Sequence, residues 1–508
     1  MMNKSCALSL AFFLIFNTAL FSQVKSKANK TNMKKIERTS KVKTRISGLN
    51  DDFSPPTVMQ VETAIPAFIG FTEKGPSTPT KISSMADYKS KFGGPSNDEI
   101  GEFEIANDGT VASPEIKSTP AYRMYYMLEM FFANGGKDCF IVSVGNYEDS
   151  SQNDAMEKGL LLLNNEEVPT LIVFADAYSP EINEDPTELY KAALMQCADK
   201  MNRFLICDVA EIDANITKSA EQFRTAIGTE NLKYAAAYFP PLQTSLKYKY
   251  SEDKIRVKLN KSPMTVESAS KIMVLRHTEQ SISDDPNRRE KSLYHAENGK
   301  YKKQYQEIKT SIDAKNLELL PSAAVAGVYA RTDAARGVWK APANVSLNKV
   351  KAPSLKIDAA QQENLNVSNT GKSINAIRAF SGKGVMVWGA RTLAGNDNEW
   401  RYIPVRRLAN MIEQSVKNAT ARFVNEPNDA ETWIRIKAMT ENYLTTLWRS
   451  GALAGDKLEK AFYVRIGVGE TMTARDVQDG KMILEIGIAA VRPTEFIRLK
   501  LTQEMSNN

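Results

Sequence analysis

The sequence predicts an α/β chain with a parallel-type sheet, followed by a smaller α+β unit, with extended strand arms at both ends. Three observations predict it. The middle of the chain alternates short apolar runs (residues 170–175, 203–209 and 234–239) with helical patterns (187–201 and 219–227). That rhythm is the mark of a parallel sheet covered by helices. Beyond about Ile374, two long amphipathic segments (404–423, and one capped by Asn428 or Asp429 and running to Trp448) sit among strand-like runs at 461–468 and 482–491. The chain then closes on Phe496, Ile497, Arg498, Leu499, Lys500 and Leu501, whose apolar and charged residues alternate as in a strand with one buried face.

Length and composition set the frame. The 508 residues are enough for two to four domains and at least one large core. With 42% hydrophobic and 25% charged residues the composition is that of an ordinary globular protein. A net charge of +6 is small for this size and does not by itself argue for a nucleic-acid or membrane partner. Much of it lies in one run, Lys25, Lys27, Lys30, Lys34, Lys35, Arg38, Lys41, Lys43 and Arg45, opposed only by Glu37. Such a block reads as a solvated arm, with an arm that docks on an acidic neighbour as the alternative. Cys6, Cys139, Cys197 and Cys207 form no CxxC pair; Cys139 and Cys207 sit within apolar strand-like runs, and buried reduced thiols are expected, with a disulfide between Cys197 and Cys207 as the alternative. Residues 1–32 carry Lys4, an apolar stretch from Cys6 to Phe16 and small residues beyond, a secretory-type signal. The stretch is too short for a membrane span. The competing expectation is an upstream extension, with Met33 as the working start.

Along the chain, Pro55-Pro56 excludes helix and extends the segment from about Arg45 to Gln60. Residues 64–72 read as a strand, and 84–92 as a short helix stopped by Gly93-Gly94. Tyr122, Tyr125, Tyr126, Leu128, Met130, Phe131 and Phe132 recur at helical spacing, capped by Gly135-Gly136, with a buried strand at 139–144. This aromatic stripe is expected in the core. Residues 245–317 are charged and weakly patterned, an insertion; 323–330 is a small-residue strand or helix start; 344–373 reads as a linker. The expected organisation is therefore a leading segment 1–32, a basic arm 33–62, an α/β domain 63–343, the linker, a C-terminal domain 374–491 and a strand arm 492–508.

No pattern of catalytic chemistry stands out. His277 and His295 both fall in the insertion and read as surface residues, and no GxSxG elbow accompanies them. HExxH, paired CxxC, EF-hand and phosphate-loop patterns are absent from the sequence. Gly467-Val468-Gly469 lacks the third glycine and the helix of a nucleotide loop, and reads as a turn. Asp176 and Asp208 end parallel strands, where α/β enzymes place catalytic groups, but carboxylates there also cap helices. No cofactor and no metal site are expected.

Four stretches carry a resemblance: Val61 to Pro76 with Tyr88-Lys89-Ser90-Lys91-Phe92-Gly93-Gly94; Tyr125 to Val144 with Phe-Phe-Ala-Asn-Gly-Gly; Pro321 to Asp333 with Gly337-Val338-Trp339-Lys340; and Val387 to Leu393 with Trp400-Arg401-Tyr402-Ile403-Pro404-Val405-Arg406-Arg407-Leu408. In this order the chain resembles the sheath proteins of contractile phage tails, tailocins and extracellular contractile injection systems. The resemblance implies a structural, self-assembling subunit in stacked hexameric rings around an inner tube, contracting to drive that tube through a target envelope. It implies an outer α/β domain, an inner C-terminal domain and terminal arms that add strands to neighbouring copies. Phe496, Ile497, Arg498, Leu499, Lys500 and Leu501 are the expected inter-subunit arm. The implied partners are other copies, the inner tube, and baseplate and terminal cap proteins, with no nucleic acid and no stable membrane insertion. Assembly in the cytoplasm, next to the tube, favours Met33 as the start; export of a surface or binding protein through residues 1–32 is the alternative. An α/β hydrolase-like enzyme is the remote one.

Overall fold

In the computed structural model the described residues are 57–96, 100–148, 153–178, 186–260, 271–491 and 497–505. The signal-like segment, residues 33–56 of the basic arm, Cys6 and Phe496 lie outside them. The chain divides into a larger unit, residues 60–414 with 490–495, and a smaller one built mainly from 415–489 and the last strand.

The larger unit is organised by a sheet whose parallel strands are β1 (Pro66–Gly70), β2 (Cys139–Ser143), β3 (Leu171–Phe174), β4 (Phe204–Asp208), β5 (Ala235–Phe239) and β6 (Ile374–Phe380). Strand β7 (Gly384–Trp388) pairs antiparallel with β6. Among the described residues the sheet has nine strands, in the order Val345–Ser346, β7, β6, β5, β4, β3, β1, β2, Thr80–Ile82. A strand buried on both faces needs a continuous apolar run rather than an alternating one. Pro-Ala-Phe-Ile-Gly, Leu-Ile-Val-Phe and Phe-Leu-Ile-Cys-Asp meet that requirement and are buried throughout.

The pleat divides these runs between two cores. Phe68, Val173, Ile206 and Tyr238 face helices α1 (Met124–Ala133) and α5 (Ser322–Arg336). Ile69, Ile172, Cys207 and Ala237 face α2 (Asn153–Leu162), α3 (Thr187–Lys200) and α4 (Ile216–Ala226). The aromatic stripe of α1 is core, as expected: Phe131 meets Phe68 edge-on at 5.3 Å and Tyr125 packs on Tyr88. Cys139, Cys197 and Cys207 are buried free thiols.

Residues 245–317 are not only an insertion. Arg256–Leu259 and Lys271–Val274 join Phe103–Ile105 and Val111–Ala112, from much earlier in the chain, in a second sheet. Residues 344–373, read as a linker, carry Val345–Ser346 of the large sheet, a strand Val350–Pro353 beside Leu242–Thr244, and a helix Ala359–Asn366 with an Asp358/Gln361 capping box. The pattern there is weak because these strands are two to four residues long. The strands after Ile374 also belong to the large sheet, because Ile374 to Ala376 pair in parallel with Ala237 to Phe239. The division into units comes later, after Gln414, inside helix α6 (Ile403–Thr420).

In the smaller unit, helix α7 (Ala430–Arg449) starts at Asp429, whose side chain accepts the Thr432 N–H, and buries Ile436, Met439, Tyr443, Leu444 and Leu447. It lies against β8 (Phe462–Arg465). Strand β9 (Lys481–Ile488) pairs antiparallel with β8 on one side and with β10 (Ile497–Glu504) on the other.

Candidate functional site

The two carboxylates at strand ends were the best enzymatic candidates, and their geometry assigns them a structural task. Asp176, fully buried past β3, accepts the Phe71 N–H at 2.8 Å on Oδ2 and the Arg123 N–H at 2.6 Å on Oδ1. Arg123 is the N-cap position of α1, so the carboxylate sits on the positive end of that helix. Gly70 makes room for it, since a Cβ there would stand 2.4 Å from Asp176 Oδ2. Asp208, at the end of β4, accepts the Ser322 N–H at 2.8 Å and the Ser322 hydroxyl at 2.6 Å, closing the first turn of α5. Each aspartate caps a helix, though not the one that follows it in sequence.

Burial pushes both carboxyls up, Asp176 to about 6 and Asp208 to about 7, against the opposing pull of their hydrogen bonds and of Arg123. Burial in turn lowers the Arg123 guanidinium. A crevice at the carboxyl ends of parallel strands is where an α/β sheet takes an anionic ligand. Here the helix ends that would bind one are filled by the chain's own side chains.

His295 corrects the expectation of two surface histidines. It is only 8% exposed, with Nδ1 2.9 Å from Ser292 Oγ and Nε2 2.8 Å from Glu279 Oε1. The order serine, histidine, carboxylate is that of a hydrolytic relay. Ser292, however, is wholly buried, and its Oγ already accepts the His277 N–H. A nucleophile needs room for its substrate, so this relay holds a turn together. Its i, i+3 spacing on an irregular segment hid it in the sequence. Among the described residues no group of three or more His, Cys, Asp or Glu is placed to hold a metal ion. Gly467-Val468-Gly469 is a turn, closed by the Gly469 N–H on the Met472 carbonyl.

The remaining candidate is the terminal strand. It runs to Glu504, three residues beyond the expected end, because Thr502 and Gln503 continue the pairing without continuing the apolar pattern. Within one chain it lines the edge of β9 over eight positions, from Ile488 opposite Ile497 to Lys481 opposite Glu504. Leu499 is buried, and Lys500 stands opposite Glu485. Just past the strand the Met505 N–H bonds the Gly480 carbonyl at 2.5 Å, and within it Gln503 Nε2 bonds the Thr420 carbonyl at 3.1 Å. On the other side of β9, Gly487 lets the Tyr463 ring lie across the sheet, and Tyr463 Oη donates to Glu485 at 3.1 Å. The outer edges of β8 and β10 bound this sheet among the described residues.

Residues 395–504, which hold this sheet and helices α6 and α7, match the model of the phage tail sheath C-terminal domain. Most of the chain matches sheaths of known structure. The contracted sheath of the PVC extracellular contractile injection system is 29% identical with a TM-score of 0.59, over 92% of this chain and 99% of that one. The contracted helical sheath of the anti-feeding prophage is 31% identical with a TM-score of 0.57, over 91% and 99%. The chain belongs to the contractile tail sheath family.

Curated members of the family match over shorter stretches. The tail sheath protein of Vibrio phage KVP40 is 24% identical over 210 residues, 41% of this chain and 29% of that protein. That of Enterobacteria phage T4 is 28% identical over 157 residues, 30% and 22%. The matched stretch thus spans under a third of those phage sheath proteins. Its relatives are structural sheath proteins, and this member is a structural subunit rather than an enzyme. No helix among its described residues is long and apolar enough to cross a membrane.

Proposed function

We propose that this sheath protein polymerises with copies of itself as stacked hexameric rings around an inner tube, bounded by baseplate and terminal cap proteins. It then contracts to drive the tube through a target envelope. The observation that carries this reading is the terminal strand on the edge of β9, in the region that matches the family's C-terminal domain. A strand at a chain end gives main-chain hydrogen bonds to whichever sheet edge it lines, and its alternating side chains set the register. Lining a neighbour's β9, it would join copies while leaving each free to turn. Phe496, Ile497, Arg498, Leu499, Lys500 and Leu501 remain the proposed arm, continued to Glu504.

Contraction needs a store of energy in the extended lattice. At roughly 25 cal/mol per Å², burying about 200 Å² more per subunit would contribute about 5 kcal/mol, less the cost of ordering the new contacts. Summed over many subunits this drives the motion without a nucleotide. The test is removal of residues 497–508 from the full chain. Circular dichroism should show a folded subunit and electron microscopy no sheaths, alone or with the tube protein. Regular sheaths from the truncated chain would overturn the arm assignment.

A further inference from the structure

The sheath reading places residues 497–504 of one copy on the β9 edge of the next, yet in the single chain that edge is already taken by its own β10. We infer that β10 is a self-inhibitory placeholder: in the free subunit it closes the β9 edge and withholds the assembly surface until the identical strand of a neighbour displaces it. The inference rests on the sheath reading and adds how the subunit is kept from assembling too early.

The closed form is paired along the whole of β10. Eight residue pairs are in register, Lys500 faces Glu485, Glu504 faces Lys481, and Met505 and Gln503 fasten the strand at its far end. A neighbour's strand has the same sequence and offers β9 the same bonds. Exchange therefore gains little main-chain energy, and concentration decides it. A strand tethered to its own edge by a short connection has an effective concentration of order millimolar. At about one micromolar free subunit, the chain's own strand wins by roughly a thousandfold. In a ring or on a growing sheath end the neighbouring strand is equally close, and that advantage vanishes. Opening is then favoured where subunits are already aligned, which makes growth templated and spontaneous nucleation slow. Residues 489–496 join the two strands, and eight residues span at most about 28 Å, so only an adjacent copy is within reach.

The test is a reversible staple across the pair. Directly opposed antiparallel residues have Cα atoms roughly 4.5–5.5 Å apart, within disulfide reach. The full chain carrying Glu485→Cys and Lys500→Cys, with Cys6→Ser, is oxidised with copper–phenanthroline either as dilute free subunit or after assembly. The free subunit should form an intramolecular link, its sheath yield should fall at least tenfold, and reductant should restore it. Protein oxidised after assembly should give ladders of linked subunits on non-reducing gels. A free subunit that does not link, or a linked one that assembles as well as its reduced form, overturns the placeholder. Ladders in the sheath would still uphold strand exchange in the first of those cases. Intramolecular links alone in the finished sheath would overturn strand exchange itself.

Discussion

Asp208 and Ser322 are joined by two hydrogen bonds across 114 residues of sequence, one from the serine N–H and one from its hydroxyl, both to the same buried carboxylate. Asp176 does comparable work for α1, but it draws on backbone N–H groups, of Phe71 and Arg123. The difference matters because a hydroxyl reverses its role and a backbone N–H does not.

Asp208→Asn should therefore be mild and Asp176→Asn severe. At position 208 the new amide oxygen takes the Ser322 N–H while its NH2 donates to the rotated hydroxyl. At position 176 one N–H is left facing an NH2, an unsatisfied buried donor worth about 1–3 kcal/mol. Urea unfolding of the soluble subunits should show the midpoint falling far more for Asp176→Asn.

The same carboxyl sets a pH dependence. Asp208 is raised to about 7, above its ordinary value of 3.8. Between these values the folded chain holds a proton that the unfolded chain has released, so stability falls as pH rises from about 4 to about 7. Asp208→Asn removes that titration. The slope of unfolding free energy against pH should flatten by up to about 1.4 kcal/mol per pH unit in this window, and at pH 8 the variant should be no less stable than the parent.

Arg407 and Asp333 form a buried, two-pronged pair, with Nη1 at 3.0 Å and Nη2 at 2.5 Å, and Thr63 completes it through its carbonyl and hydroxyl. This ties the entry to β1 to α5 and to the start of α6. Asp333→Ala strands a buried cation and should cost about 3–5 kcal/mol, whereas replacing both partners, Asp333→Leu with Arg407→Met, should recover much of it. Arg407→Lys keeps the charge but loses the fork, and should not restore the parent stability. Chemical denaturation of the three variants checks the order.

What the sequence disclosed follows from what each element must bury. The runs around Ile69, Val173 and Ile206 are apolar without interruption because both sheet faces are covered, so the parallel sheet was legible. The Val345–Ser346 strand was not, since two residues cannot display a period. Of the terminal strand, the half holding Leu499 and Leu501 was visible and the half from Thr502 to Glu504 was not, because main-chain pairing there has no apolar signature. The caps by Asp176 and Asp208 were open to suspicion as strand-end carboxylates, but their partners lie 53 and 114 residues away and only the fold brings them together.

Ser292 should be inert. Its hydroxyl is enclosed and engaged with His295 and the His277 N–H. A fluorophosphonate probe applied to the native subunit should leave the serine unmodified in peptide mass spectrometry. His295→Ala, which breaks the two side-chain bonds of His295, should instead speed proteolysis in residues 276–300.

The pairing of Glu485 with Lys500 allows strand exchange to be read by charge. Glu485→Lys places two cations directly opposite each other, and Lys500→Glu two anions; either change weakens β10 on its own β9. Glu485 also receives Tyr463 Oη and faces Arg465 at 3.9 Å, so its removal is the costlier of the two. A chain carrying both changes restores opposite charges whether the strand comes from itself or from a copy, and should assemble better than either single variant. A mixture of the two single variants separates those sources. Within each chain the charges still clash. Between chains they match: the unchanged Lys500 of the first variant meets the unchanged Glu485 of the second, and the acidic strand of the second meets the basic edge of the first. If strands are exchanged, the mixture should form sheaths at concentrations where neither variant does so alone, with both chains present in equal amounts by mass spectrometry. If the strand stays at home, mixing changes nothing, because no chain gains a compatible partner.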